Sequence, residues 1–405
     1  MANQNTKIEQ KGIYNCKVEH RKLKSGLNVY LVHKDIPVTH FQLFVPFGGE
    51  LLQYKDPETK KVMNLEPGSA HYFEHVLFIM PPLDKKGKPI MDELNPDTAQ
   101  NLRDGLTELT KNNAIVVNAY TWNDITNYWF VTRKNPMENL KIMVEYVFTP
   151  YLPKDRFKEE TGTILDEEKM YDNNPDAKQS KEWAKQAFVK HGAKFPVIGT
   201  QQTIPQIRLK DVLSMHSTFY RPSNMNLVIV GKADIKDVEK TVQEKLDSLG
   251  KGNFIPPPEE VIQEEPSSVE IKDNFDNPMK RKDIKRSNVL AGWKYLVDPT
   301  KLSNEDIIDI HLCVMIVRCA LFGAGSKNRE DLVKNGVDDR TLVAYSENFR
   351  TEGMIHVKAD TEDHNKFRNF LLESMDNALK NGITEEEIEY AKNSLLTKQD
   401  TDNED

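Results

Sequence analysis

Residues Gly68-Ser-Ala-His-Tyr-Phe-Glu-His-Val-Leu-Phe78 set the tightest demand on how this 405-residue chain can fold. His71 and His75 are four apart, so on a helix they lie one turn apart on one face and two imidazoles can reach a single metal ion. Glu74 stands beside them, where a carboxylate takes a proton from water at such a centre. His-x-x-Glu-His is the inverted form of a zinc-hydrolase signature. A catalytic zinc takes three protein ligands and leaves one position open. The helix must therefore be packed against a second element that delivers a His, Asp or Glu to the same point.

The chain is long enough for about two to three domains with real cores. Its hydrophobic share of 38%, aromatic share of 8% and charged share of 29% are those of a globular protein. No apolar run reaches the length that spans a membrane. The start, Met1-Ala-Asn-Gln-Asn-Thr-Lys7, has neither the basic and apolar regions of a signal peptide nor the character of a transit peptide. Cys16, Cys313 and Cys319 form no C-x-x-C pair and read as reduced thiols, so a cytoplasmic location is expected. A formal net charge of −8 argues against a nucleic-acid partner, and Lys280-Arg-Lys282 reads as solvated surface.

In chain order, Ser25-Gly26 reads as a turn before an alternating strand, Leu27 to Val32, and a second strand runs from Thr39 to the glycines Gly48-Gly49. A polar loop precedes the histidine helix. Residues 81–107 read as an insertion, Pro-, Gly- and Lys-rich at the start and joined by a helix expected over 97–111. A hairpin follows around Trp122-Asn-Asp124, then helices over 137–148, 155–172, 176–190 and 209–219, a buried strand Asn226 to Gly231, and a helix from Ile235 to Leu249. Residues 250–268, with Pro256-Pro-Pro258 and four glutamates, are the clearest linker. Beyond it, strands near 268–271 and 287–295, a helix over 306–322, a turn, strands near 340–348 and 353–359, and helices from 362 and 384 repeat the earlier order and suggest duplication. The acidic tail 400–405 reads as disordered.

Ten histidines are present, but those outside the motif, such as His191 and His216, lie in no supporting pattern. The acid-rich helix over 155–172 is the better source of the third ligand. Helical geometry alone leaves Glu160, Glu167 and Glu168 open.

Five stretches occur in one order: Gly48-Gly49, Ala70 to His75, Asn118-Ala-Tyr-Thr121, Gly162 to Asp172 with Asn174-Pro175, and Phe219 to Met225 ahead of Val230-Gly231. Together they resemble the pitrilysin/insulinase family of zinc peptidases, in particular its half-size bacterial members, closely over about residues 20–240 and more loosely over 255–400. The resemblance implies Glu167 as the third ligand of Zn²⁺ with His71 and His75, Glu160 as a carboxylate behind them, and Glu74 as the catalytic base. It implies that Asn118 and Ala119 hold substrate as an added β-strand. It also implies an α+β fold of two similar domains, each a mainly antiparallel β-sheet covered by helices, as in mitochondrial processing peptidase. The expected division is a metal-bearing domain over 1–249, a linker over 250–268, and a metal-free, shortened domain over 269–405.

Two departures shape the expectation. The stretch from His75 to Glu167 is longer than the family's, with the excess between Phe78 and Asn118, which bears on substrate access. The Arg and Tyr that family members supply from a companion half are missing at Lys327 to Gly336; Arg329, Arg340 and Tyr345 are the available stand-ins. The expected function is that of a zinc endopeptidase cleaving peptides or small unfolded proteins, such as a ribosomally made precursor, as the metal half of a two-part enzyme. Its partner would be a homologous metal-free subunit or a second copy. The alternative is a non-catalytic assembly or peptide-binding protein on the same fold.

Overall fold

The computed structural model describes residues 7–9, 17–57, 59–86, 89–91, 102–259, 261, 265 and 286–404. The chain divides into two compact units, Met1–Asn174 with Lys190–Gln263, and Pro175–Val189 with Glu264–Asp405.

The first unit begins with strands β1 (Lys7–Glu9), β2 (Lys17–Lys22), β3 (Asn28–His33) and β4 (Thr39–Val45), and the short pair β5 (Gln53–Lys55) and β6 (Val62–Asn64). Helix α1 (Ser69–Val76) follows, then the pair β7 (Ile79–Met80) and β8 (Arg103–Asp104), helix α2 (Gly105–Lys111), the hairpin β9 (Ala114–Thr121) and β10 (Thr126–Thr132), and helices α3 (Pro136–Phe148) and α4 (Lys154–Asp172). Helix α5 (Pro175–Ala187) belongs to the second unit, after which α6 (Leu209–Phe219), β11 (Asn226–Gly231) and α7 (Ile235–Ser248) complete the first.

The main sheet has seven strands in the order β1-β2-β3-β11-β4-β10-β9. All neighbours are antiparallel except β11, which runs parallel to β3. Alternation decides which face is covered. On β4, Phe41, Leu43 and Val45 are buried while His40, Gln42 and Phe44 are only half-buried. The buried set joins Leu227 and Ile229 of β11, Leu140, Met143 and Val147 of α3, Met215 and Phe219 of α6, and Val238 and Val242 of α7 in one core. The two short pairs were not evident in the sequence, because strands of two or three residues carry no usable periodicity. The β7/β8 pair closes the base of the insertion, reinforced by Gly105 N donating to Phe78 O at 2.8 Å. The helix expected over 97–111 is described only as α2, because Arg103–Asp104 is strand and the Asp104 side chain caps the helix by accepting from Thr107 N at 2.7 Å.

The second unit holds β12 (Ser287–Leu296), α8 (Asn304–Phe322), α9 (Lys327–Lys334), β13 (Val343–Asn348), β14 (Glu352–Thr361), α10 (His364–Asn381) and α11 (Glu385–Glu404). Its three-stranded antiparallel sheet has the order β12-β14-β13. Strand, helix, hairpin and two helices recur in the same order in both units, which gives the α+β architecture of two similar domains. Helix α5, assigned by the sequence to the first domain, packs on this second sheet instead: Trp183 lies over His356 at 4.4 Å, and a Cβ on Gly292 would fall 2.6 Å from the Trp183 ring. Gln179 adds a bond to Asn288 O at 2.9 Å.

Where a turn was expected after α8, Ser326 caps α9 through Arg329 N, and Leu332 is buried. The tail expected to be disordered continues α11 as helix to Glu404, since single Asp and Asn residues cost a helix only tenths of a kcal/mol each. The strand expected near 268–271 lies outside the described residues. Among the described residues no single helix is long and apolar enough to cross a membrane.

Candidate metal centre

Helix α1 has only eight residues, too few to be stable alone. It is held by an apolar face on which Ala70, Tyr72, Phe73 and Val76 are at most 2% exposed. Burying each large side chain contributes about 1.5–3 kcal/mol. Phe73 meets Tyr220 edge-on at 4.7 Å. The helix starts at Gly68, whose φ of +96° suits glycine and whose absent Cβ would lie 2.8 Å from Ile198 O. The opposite face carries His71, Glu74 and His75.

Helix α4 crosses α1 and supplies the acids. His75 Nε2 lies 3.4 Å and His71 Nε2 3.9 Å from Glu167 Oε2. The donor atoms of His71, His75 and Glu167 all fall within 4.8 Å of one another, the one such group among the described residues. Donors about 2.0–2.1 Å from a tetrahedral zinc stand about 3.3 Å apart, so two imidazole nitrogens and a carboxylate at these separations fit that ion. Glu160 Oε1 accepts from His75 Nδ1 at 2.9 Å, which leaves Nε2 facing Glu167. Glu168 points away: its Oε2 accepts from Gln201 Nε2 at 2.6 Å, and Gln201 also donates to Leu165 O at 2.9 Å. The three acids that helical geometry left open are thereby separated.

Burial, with the nearby His75 charge, pushes His71 down to about 3, so it is the neutral imidazole that ligates metals. For His75, burial opposes the charged form most, but the Glu160 hydrogen bond and the carboxylates of Glu74, Glu160 and Glu167 outweigh it and raise its pKa. Burial raises Glu74 above the usual carboxylate range, while a hydrogen bond from Thr121 Oγ1 to its Oε2 at 2.7 Å works the other way.

Tyr72 ties the two helices together. Its hydroxyl donates to Phe157 O and meets Thr161 Oγ1 at 2.8 Å, and its ring lies 4.7 Å from that of Phe157. Neither Tyr72, Gln201 nor Thr121 was singled out by sequence reasoning; a hydroxyl on the apolar face of α1 was the one available signal.

Asn118 and Ala119 lie on β9, the edge strand of the main sheet among the described residues. Ala119 N donates to the Asn118 side chain at 2.8 Å. His216 is a core histidine bonded to Val147 O at 2.9 Å, with its pKa pushed by burial to about 4. His191 accepts from Ala193 N at 3.1 Å.

A family model described as the peptidase M16 inactive domain matches residues 206–298, a span that begins after Glu167. The zinc protease YmfH of Bacillus subtilis is 29% identical over 389 residues, which is 93% of this chain and 82% of that one. These matches make the chain similar to the M16, pitrilysin/insulinase-like peptidases. The structure of an M16-like peptidase from Alicyclobacillus acidocaldarius matches with a TM-score of 0.80 at 21% identity, covering 98% of this chain and 86% of that one. The crystal structure of pitrilysin matches at a TM-score of 0.65 and 16% identity, covering 95% of this chain and 38% of the other. Both share the fold described above.

Proposed function

We propose that the chain is a zinc-dependent endopeptidase acting on extended peptides or small unfolded proteins. The observation that carries this reading is the convergence of His71, His75 and Glu167 on one point, with Glu74 beside it and an open sheet edge nearby. The two imidazoles and Glu167 would hold Zn²⁺, and Glu160 orients His75. Zinc in such a site polarises a carbonyl and makes water a nucleophile at neutral pH. Glu74 takes the proton of the attacking water and passes it to the leaving amine. Ile115, Val116 and Tyr120 of β9 are exposed. A peptide paired along β9 would be recognised through its backbone, with Asn118 giving up its bond to Ala119 N to meet it.

The Glu74→Gln variant should bind zinc as the wild type does and lose turnover of a peptide library. Cleavage at the wild-type rate would refute the assignment of the base.

The two-part arrangement belongs to the same proposal. Arg329 donates to Asp339 Oδ1 at 2.7 Å, Leu342 O at 2.8 Å and Asp339 O at 2.9 Å. Arg340 pairs with Asp338 at 2.8 Å, and Tyr345 stacks on His356 at 4.6 Å. All three stand-ins are thus engaged within their own unit, which supports a companion subunit as the source of the substrate-facing Arg and Tyr. Mixing with a homologous metal-free subunit should raise peptidase activity sharply; full activity of the isolated chain would refute the two-part reading.

A further inference from the structure

The hydroxyl that meets Glu74 sits in a short chain of threonine hydroxyls. Thr126 is fully buried, and its hydroxyl donates its one proton to Phe47 O at 2.8 Å. Thr121 Oγ1 lies 3.4 Å from Thr126 Oγ1 and donates to Glu74 Oε2 at 2.7 Å. With the Thr126 proton on Phe47 O, the Thr121 hydroxyl has two acceptors within reach, and the carboxylate at 2.7 Å takes its proton in preference to the Thr126 oxygen at 3.4 Å. The Thr121 backbone amide acts on the same carboxylate.

The β9–β10 turn that carries both threonines is itself fixed. Gly49 N donates to Trp122 O at 2.9 Å and Glu50 N to Asn123 O at 2.8 Å. A Cβ on Gly48 would fall 2.4 Å from Asn123 O, so the chain after β4 sits against the turn without a side chain between. Thr121 is thereby anchored by β10, by the Phe47–Glu50 segment and by its own place at the end of β9.

We infer that Thr121 is the positioning residue of Glu74, and that it makes the edge strand β9 set the aim of the base. The inference rests on the peptidase reading of the site. Thr121 closes the strand on which Asn118 and Ala119 lie, so an extended peptide added there would end beside the residue that orients the carboxylate. Thr121 holds Glu74 Oε2 through its hydroxyl, which fixes the carboxylate for taking the proton of the attacking water.

The test compares Thr121→Val, Thr121→Ser and Glu74→Gln with the wild type. Thr121→Val keeps the side-chain shape and removes the hydroxyl. Its kcat should fall about tenfold to a hundredfold, as expected for a misaimed catalytic group, with KM, zinc stoichiometry and melting temperature near wild type. Thr121→Ser should restore most of kcat. A kcat for Thr121→Val within twofold of wild type overturns the inference, as does a loss of zinc or of melting temperature that Ser does not restore. Crystal structures decide the point independently of turnover: the Glu74 carboxylate should leave its place in Thr121→Val and keep it in Thr121→Ser, and an unmoved carboxylate overturns the inference. Inactivity of the wild type with the carboxylate shift present would refute the peptidase reading and leave the positioning contact standing.

Discussion

Glu160 offers the sharpest quantitative test of the centre. Its Oε1 accepts from His75 Nδ1 at 2.9 Å, and the two side chains are 25% and 23% exposed. Glu160→Gln keeps an acceptor of the same shape and removes the charge. A hydrogen bond to an ionised partner contributes about 1.5–3 kcal/mol, against about 0.5–1.5 kcal/mol for a neutral one. The difference, about 1–1.5 kcal/mol at a site partly open to water, corresponds to roughly tenfold weaker zinc binding. Glu160→Ala removes the acceptor and should reach the upper part of the ten- to hundredfold range typical of residues that orient a metal-binding histidine, about 1.4–2.7 kcal/mol. The assay is competition for zinc against a chromophoric chelator. Glu159→Gln on the same helix is the control, because Glu159 is exposed and pairs with Arg156 at 2.8 Å. If Glu160→Gln binds zinc within twofold of wild type while Glu167→Gln does not, the role given to Glu160 is wrong.

Two further outcomes follow from how the ligand helices are held. Tyr72→Phe removes a hydroxyl that bonds both the Phe157 carbonyl and the Thr161 hydroxyl, which keep their own bond at 3.1 Å, and should cost about 0.5–1.5 kcal/mol in denaturant unfolding at an unchanged m-value; a midpoint indistinguishable from wild type would show that the hydroxyl does not brace α1 against α4. Replacing residues 84–100 by a short Gly-Ser link should leave zinc affinity within twofold in the same competition assay, because β7/β8 and the Arg103–Glu145 pair at 2.6 Å close the insertion at its base; loss of zinc would mean that the insertion supports the centre.

What the sequence determined by itself is what short-range geometry controls. His71, Glu74 and His75 lie within one and a half turns, so the helical period alone brings them together. Strands β3, β4, β9, β10 and β11 of the main sheet and most long helices were legible for the same reason, since β4 alternates and α3 and α6 repeat at helical spacing, whereas β1 and β2 were not read. The third ligand was not legible in this way. Glu160, Glu167 and Glu168 sit within about two turns of one helix, and the crossing of α4 over α1 decides among them. That crossing sends Glu160 to Nδ1 of His75, Glu167 to the two Nε2 atoms and Glu168 to Gln201. Thr121 belongs to the same class, because its partner Glu74 is 47 residues away and only the packing of the β9–β10 turn brings them together. Helix α5 shows the limit most plainly. The sequence specified a helix over 176–190 without a partner, and the choice of the second sheet was made by Trp183 finding the space over Gly292, a contact between positions more than a hundred residues apart. Local pattern specifies an element and its buried face; which surface receives that face is a property of the whole chain.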